Sequence, residues 1–185
     1  MRGFIATESI RIFGAPVHIH WSVLVICTAL LVGAIQTPLL AVEWLVTYLA
    51  IILMHEAGHA YVAKCLGCRI HDVYITFIHG VCVYEAPYYE KEVSLVAWGG
   101  VLTQLAIALP LIVLSLLLGD SQPAAVRVLT TNLGYYNFFI ACFNLIPAKG
   151  FDGEKAWRLI PTYINEIRAR STAKKVTEKI IRRIK

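Results

Sequence analysis

Four stretches of this chain are apolar over about the twenty residues that a helix needs to cross the hydrocarbon core of a bilayer. They fall at residues 17–35, 44–66, 93–118 and 124–146. In lipid every backbone polar group must find its partner inside the protein, so such segments are expected as transmembrane helices. Composition agrees: 58% of the 185 residues are hydrophobic and 16% are charged, against roughly 45–50% and 25% in soluble domains. The first stretch is read as a span and not as a cleaved leader, because the segment preceding its core "WSVLVICTALLVGAI" is long for a signal sequence. The expected architecture is an all-α polytopic membrane protein with about four transmembrane helices. Residues 1–161 form its core and residues 162–185 a basic tail, with no room for a separate soluble regulatory module.

The second stretch contains a contradiction. Residues 44–54 are apolar but too few to span, and the segment reaches full length only if "HEAGHAYVA" continues the same helix. That places His55, Glu56 and His59 at membrane depth, where an ionisable side chain costs roughly 2.5–3.5 kcal/mol and normally serves a function. On a helix His55 and His59 lie four apart and project from one face, close enough to hold a single cation. Glu56 neighbours the first histidine without sharing its direction. This is the H-E-x-x-H arrangement, two ligands and a carboxylate free to move a proton. A purely structural polar cluster would need partners that the local sequence does not offer. Ala57, Gly58 and Ala60 keep this turn thin, so a neighbouring helix can approach closely.

Between the second and third spans, "RIHDVYITFIHGVCVYEAPYY" is rich in β-branched and aromatic residues around Gly80. It is expected to form a small membrane-associated β-hairpin. Arg2, Arg11, Lys64, Arg69 and Lys91 flank the spans on one side, while the loops near residues 37–43 and 119–122 carry no Lys or Arg. Both termini and the hairpin should therefore face the cytoplasm. The net charge of +5 resides in the tail, where residues 158–185 hold nine Lys/Arg against Glu166 and Glu178. A tail with Ile164, Ile167, Val176, Ile180 and Ile184 at partly helical spacing can lie on anionic lipid as an amphipathic helix or remain solvated. No RNA-binding signature accompanies it, and nucleic acid is not an expected partner. Five cysteines, an odd number, do not make a disulfide framework. Cys65, Cys68 and His71 lack the second ligand pair of a zinc-finger spacing. His18 and His20 are read as structural, and Asn132 and Asn137 as interhelical hydrogen-bonding residues.

A catalytic zinc needs a third protein ligand. "FNLIPAKGFDGEKAW", after the fourth span, supplies Asp152 at the depth of His59, although an aspartate there also suits a turn or the N-cap of "GEKAWRLI". HEAGH in an apolar helix, followed by Asn144, Pro147 and Asp152-Gly153 in the pattern N-x-x-P-x-x-x-x-D-G, resembles the site-2 proteases, intramembrane zinc metalloproteases. The resemblance extends from the first span to Trp157. It implies one Zn2+ per chain held by His55, His59 and Asp152, with Glu56 as the catalytic carboxylate and Asn144 placing substrate. The hairpin around Gly80 stands where the family has a membrane-associated β segment, which makes Gly80 a candidate substrate-binding position. In "AWGGVLTQ" Val101 and Gln104 stand where the family commonly has proline and asparagine, and Gln104 is a candidate for substrate binding. Lys149 is near enough in sequence to compete for the Asp152 carboxylate.

The implied function is hydrolysis of a peptide bond in or near the transmembrane segment of a membrane-anchored protein, by a multi-pass enzyme of a prokaryotic cell membrane. Its expected partners are that substrate, the lipid bilayer and a regulatory membrane protein or further copies of the chain. The competing reading is a non-catalytic metal-binding membrane protein, either a zinc carrier or an inactive homologue. Glu56 weighs against a carrier, which needs ligands along a path.

Overall fold

The computed structural model describes residues 3–34, 37–77 and 79–184. Arg2, Lys185 and the expected end of the first span at residue 35 lie outside the described residues. The β structure is larger than the expected hairpin. Strands β1 (Phe4–Ile12) and β2 (Ala15–His20) pair antiparallel around a turn at Phe13 and Gly14, both with positive φ (50° and 93°). β2 then pairs parallel with β3 (Ile70–Ile75), which pairs antiparallel with β4 (Gly80–Tyr84), giving the order β1-β2-β3-β4. The expected first span thus begins as a strand. "VHIH" alternates apolar and polar residues as a half-buried strand does, but a window of twenty residues merges it with the apolar helix that follows. Val17, Val73 and Ile75 turn one face of the sheet onto Val23 and Ile52. His18 and Asp72 join the middle strands through a 2.7 Å contact.

Helix α1 (Trp21–Gly33) is opened by the His20 side chain, which accepts the Ser22 backbone N–H. At 13 residues it rises about 20 Å, short of a bilayer core. Helix α2 (Pro38–Cys65) starts with a proline in its first turn, earlier than its hydropathy suggests, and runs unbroken through the H-E-x-x-H segment. Helix α3 (Glu90–Leu118) opens with a capping box between Tyr89 and Glu92. Among the described residues, α2 and the helical run 90–121 are long and apolar enough to cross a membrane. The fourth apolar stretch is a composite: α4 (Ala124–Leu129), a π-helical segment (Thr130–Tyr136) and α5 (Asn137–Asn144). A short α6 (Gly153–Ala156) and the long basic α7 (Leu159–Ile184) follow. α7 begins three residues before the expected tail, and Lys91 of α3 holds it through Glu166 at 2.9 Å.

The crossing of α2 and α3 sets the geometry of everything at the site. A Cβ on Gly58 would lie 2.4 Å from the Gly99 carbonyl oxygen, and one on Gly99 would lie 2.6 Å from that of Gly58. The two backbones touch because neither residue has a side chain, the usual device for helix contact where lipid gives no hydrophobic drive. Polar side chains tie the composite fourth segment to this pair: Asn132 donates to Thr47 Oγ1 of α2, and Asn137 to the Gln104 carbonyl of α3. Gly58→Ala should therefore lower the unfolding free energy by about 1–3 kcal/mol. Gly33→Ala, which meets open space, should shift it by no more than about 0.5 kcal/mol. Denaturant titration of the two variants in detergent, followed by circular dichroism, measures the difference.

Candidate metal centre

His55 and His59 sit one turn apart on α2 with their Nε2 atoms 3.0 Å from each other. Asp152 Oδ2 lies 2.9 Å from the first and 3.2 Å from the second. Asp152 does occupy the N-cap position of α6, but its side chain makes no capping bond and points to the imidazoles instead. The turn that carries it is pinned from several sides. A Cβ on Gly153 would meet the Leu145 oxygen at 2.3 Å, so only glycine lets the Asp-Gly turn fold under the end of α5. Trp157 Nε1 donates to the Leu145 carbonyl at 2.6 Å, and Trp98 Nε1 of α3 donates to Ala156 at 3.0 Å. The two indoles meet edge to face with centroids 5.5 Å apart.

Hydrogen bonds decide the chemistry of the histidines. His59 Nδ1 lies 2.7 Å from the Val96 carbonyl oxygen, which can only accept, so Nδ1 carries a proton and Nε2 is the nitrogen turned to the site. His55 Nδ1 lies 2.8 Å from Gln104 Oε1, with the same result. Asp152 Oδ2 is buried and receives no hydrogen bond. Both Nε2 atoms and Asp152 Oδ2 thus converge, all within 4.8 Å of one another. One cation at their centre would satisfy all three. Their spacing is near the roughly 3.3 Å expected between neighbouring ligands of a tetrahedral ion bound at about 2.0–2.1 Å. The orienting bonds on the Nδ1 side are those that metal-binding histidines regularly make. Among the described residues this is the one group of three such side chains close enough for an ion, and Cys65, Cys68 and His71 form none.

Glu56 is 4% exposed and lies on the β4 side of the centre. A Cβ on Gly80 would fall 2.3 Å from Glu56 Cγ, so the glycine leaves room for the carboxylate itself. Gly100 does the same for the imidazoles, since a Cβ there would reach within 2.6 Å of His59 Nε2. These groups open on a cavity of about 810 Å3, lined by α2, by Gly80 to Cys82 and Tyr84 of β4, by Asn144 and by the Asp152 turn. Burial pushes the Tyr84 hydroxyl up to about 12, and burial with the nearby Glu56 charge does the same to the Cys82 thiol. Both therefore line the cavity as neutral groups at neutral pH. The Tyr48 hydroxyl donates to the Phe77 carbonyl and fastens the turn of the hairpin to α2.

The structure also locates the remaining candidates. Asn144 Nδ2 is 3.5 Å from His55 Nδ1, at the cavity wall. Gln104 is 0% exposed, with its amide directed at His55 and Asn137. Lys149 is exposed and forms no ion pair with Asp152 among the described residues. Sequence reading missed the Val96 carbonyl, Gly100 and Tyr48, none of which carries a motif of its own.

Comparison with known proteins agrees with this geometry. Rip3 of Mycobacterium tuberculosis, named for zinc metalloprotease activity, is 31% identical over 169 residues, which cover 83% of this chain and 42% of Rip3. A zinc metalloprotease of Methanocaldococcus jannaschii is 28% identical over 158 residues, 82% of this chain and 45% of that protein. The solved site-2 protease of the same archaeon superposes with a TM-score of 0.68 at 23% identity, over 86% of this chain and 72% of that one. The chain has the fold of that site-2 protease, and its sequence relatives are named zinc metalloproteases. It spans less than half the length of the two sequence relatives. No protein-family model matches it. With the site-2 protease fold in place, the centre should hold one divalent metal per chain. Asp152→Ala and His59→Ala should each reduce the metal found by elemental analysis of purified protein to below about one tenth of the wild-type content, given the ligand count that such a site requires.

Proposed function

We propose that this protein is an intramembrane zinc endopeptidase that hydrolyses a peptide bond in or near the membrane-spanning segment of an anchored substrate protein. The observation that carries the reading is the placement of Glu56, a buried carboxylate next to the ligand group and open to the same cavity. A structural or transport site has no use for that spare carboxylate. The zinc metalloprotease names of the sequence relatives support the choice of metal and reaction.

His55, His59 and Asp152 would hold the ion, which supplies a Lewis acid able to acidify water and polarise a carbonyl. Glu56 takes the proton from the attacking water and delivers it to the departing amine. Gly80 lets the carboxylate stand between β4 and the histidines, where both transfers are in reach. Asn144, at the rim beside His55, offers an amide to the substrate backbone. A helical substrate must unwind before its carbonyl can be attacked, and the peptide groups so freed need partners. β4 is the last strand of its sheet and lines the cavity, so it can take an extended segment by strand addition. The Lys and Arg distribution supports a cytoplasmic mouth for this cavity.

Glu56→Gln keeps the size of the side chain and removes the base. The variant should retain zinc and lose about 10²–10⁴-fold in cleavage rate, read by gel shift of tagged single-span proteins co-expressed with each chain. Unchanged processing by the variant would overturn the protease reading. Gly80→Ala should depress cleavage while leaving zinc content intact, because its methyl group displaces Glu56 and not the ligands.

A further inference from the structure

Gln104 and Asn137 are both 0% exposed, and each has its amide wholly engaged in one closed set of hydrogen bonds. The set can be read in only one direction. The Gln104 backbone carbonyl on α3 can only accept, so the Asn137 group 3.1 Å from it is the amide nitrogen. Asn137 then presents its oxygen to Gln104, and the Gln104 nitrogen donates to it at 3.0 Å. That leaves the Gln104 oxygen turned to His55, where it accepts from Nδ1 at 2.8 Å. A backbone carbonyl thereby fixes two side-chain amides in turn, and the second fixes the tautomer of the imidazole. His59 needs no such arrangement, because its Nδ1 meets the Val96 carbonyl directly.

We propose that Gln104 and Asn137 form a positioning relay that commits His55 to its Nδ1–H form and so presents the Nε2 lone pair to the metal. This rests on the metal-binding reading of the centre. It gives Gln104 a role through His55 instead of one in contact with substrate. The relay bridges α3 and α5, so it also couples the ligand on α2 to the packing of the composite fourth segment. At 3.5 Å the Asn144 amide is a poor substitute, since its nitrogen faces an Nδ1 that already donates to Gln104.

The test compares Gln104→Leu, which keeps the bulk and removes the acceptor, with Gln104→Glu, which keeps an acceptor for His55 whether or not it is ionised. Zinc affinity of each full-length chain is measured in detergent by competition with a chromophoric chelator. The relay requires Gln104→Leu to weaken binding about 10–100-fold and Gln104→Glu to stay within a few-fold of wild type. Equal losses in both, or none in either, overturn it. A second readout does not need the metal. In chelator-stripped protein, the ¹⁵N imidazole spectrum should show His55 as the Nδ1–H tautomer in the wild type and as a mixture in Gln104→Leu. If that spectrum is the same in both, the relay fails even though the centre binds zinc. If the wild type binds no zinc yet shows the tautomer difference, the metal reading fails and the hydrogen-bond assignment stands.

Discussion

Two imidazole nitrogens and one carboxylate oxygen face each other at about hydrogen-bond distance, and the rest of the molecule is arranged to keep them so. Such a cluster concentrates electron-rich atoms where burial weakens the screening that water would give. Its cost has to be offset by the bound ion and by the packing that holds the donors still. Glycines at 58, 99 and 100 bring α3 against α2, which delivers the Val96 carbonyl and the Gln104 amide to the backs of the histidine rings. Trp98 and Trp157 clamp the turn that brings Asp152 from the other side. Helix contact, ring orientation and ligand convergence are therefore one problem with one solution.

How much of this is written openly in the sequence depends on whether a feature is local. The spacing of His55, Glu56 and His59 is a property of a single helical turn, and a lipid-like environment makes those residues conspicuous. The Asp152-Gly153 turn is also local, and Gly153 proves necessary because no side chain fits under the Leu145 carbonyl. The partners of the rings are different. Val96 contributes only a backbone oxygen, which no sequence pattern reports, and Gln104 meets His55 only because α3 crosses α2 at that particular register. Nothing in "AWGGVLTQ" by itself distinguishes an amide that binds substrate from one that orients a ligand.

The sheet illustrates a second limit. Hydropathy averaged over a span-length window assigns residues 17–20 to the first helix, although their alternation of apolar and polar residues belongs to β2. Pairing of β2 with β3 is parallel and joins segments on either side of α1 and α2, so no local turn signal announces it. The expected hairpin is present as β3 and β4, but it is one half of a four-stranded sheet whose other half comes from the N-terminus. That larger sheet gives β4 a firm backing and, among the described residues, no strand partner on its outer side.

Asp152 reaches the histidine pair only after α3 and the composite fourth segment have been made and have folded back. A ribosome that has delivered α2 to the bilayer has released both imidazoles and Glu56, yet not the third donor or the indole of Trp157 that secures it. A nascent chain thus lacks the third donor until Asp152 has emerged. The same separation along the polypeptide that makes the centre slow to assemble leaves the ligand set incomplete until the fold closes.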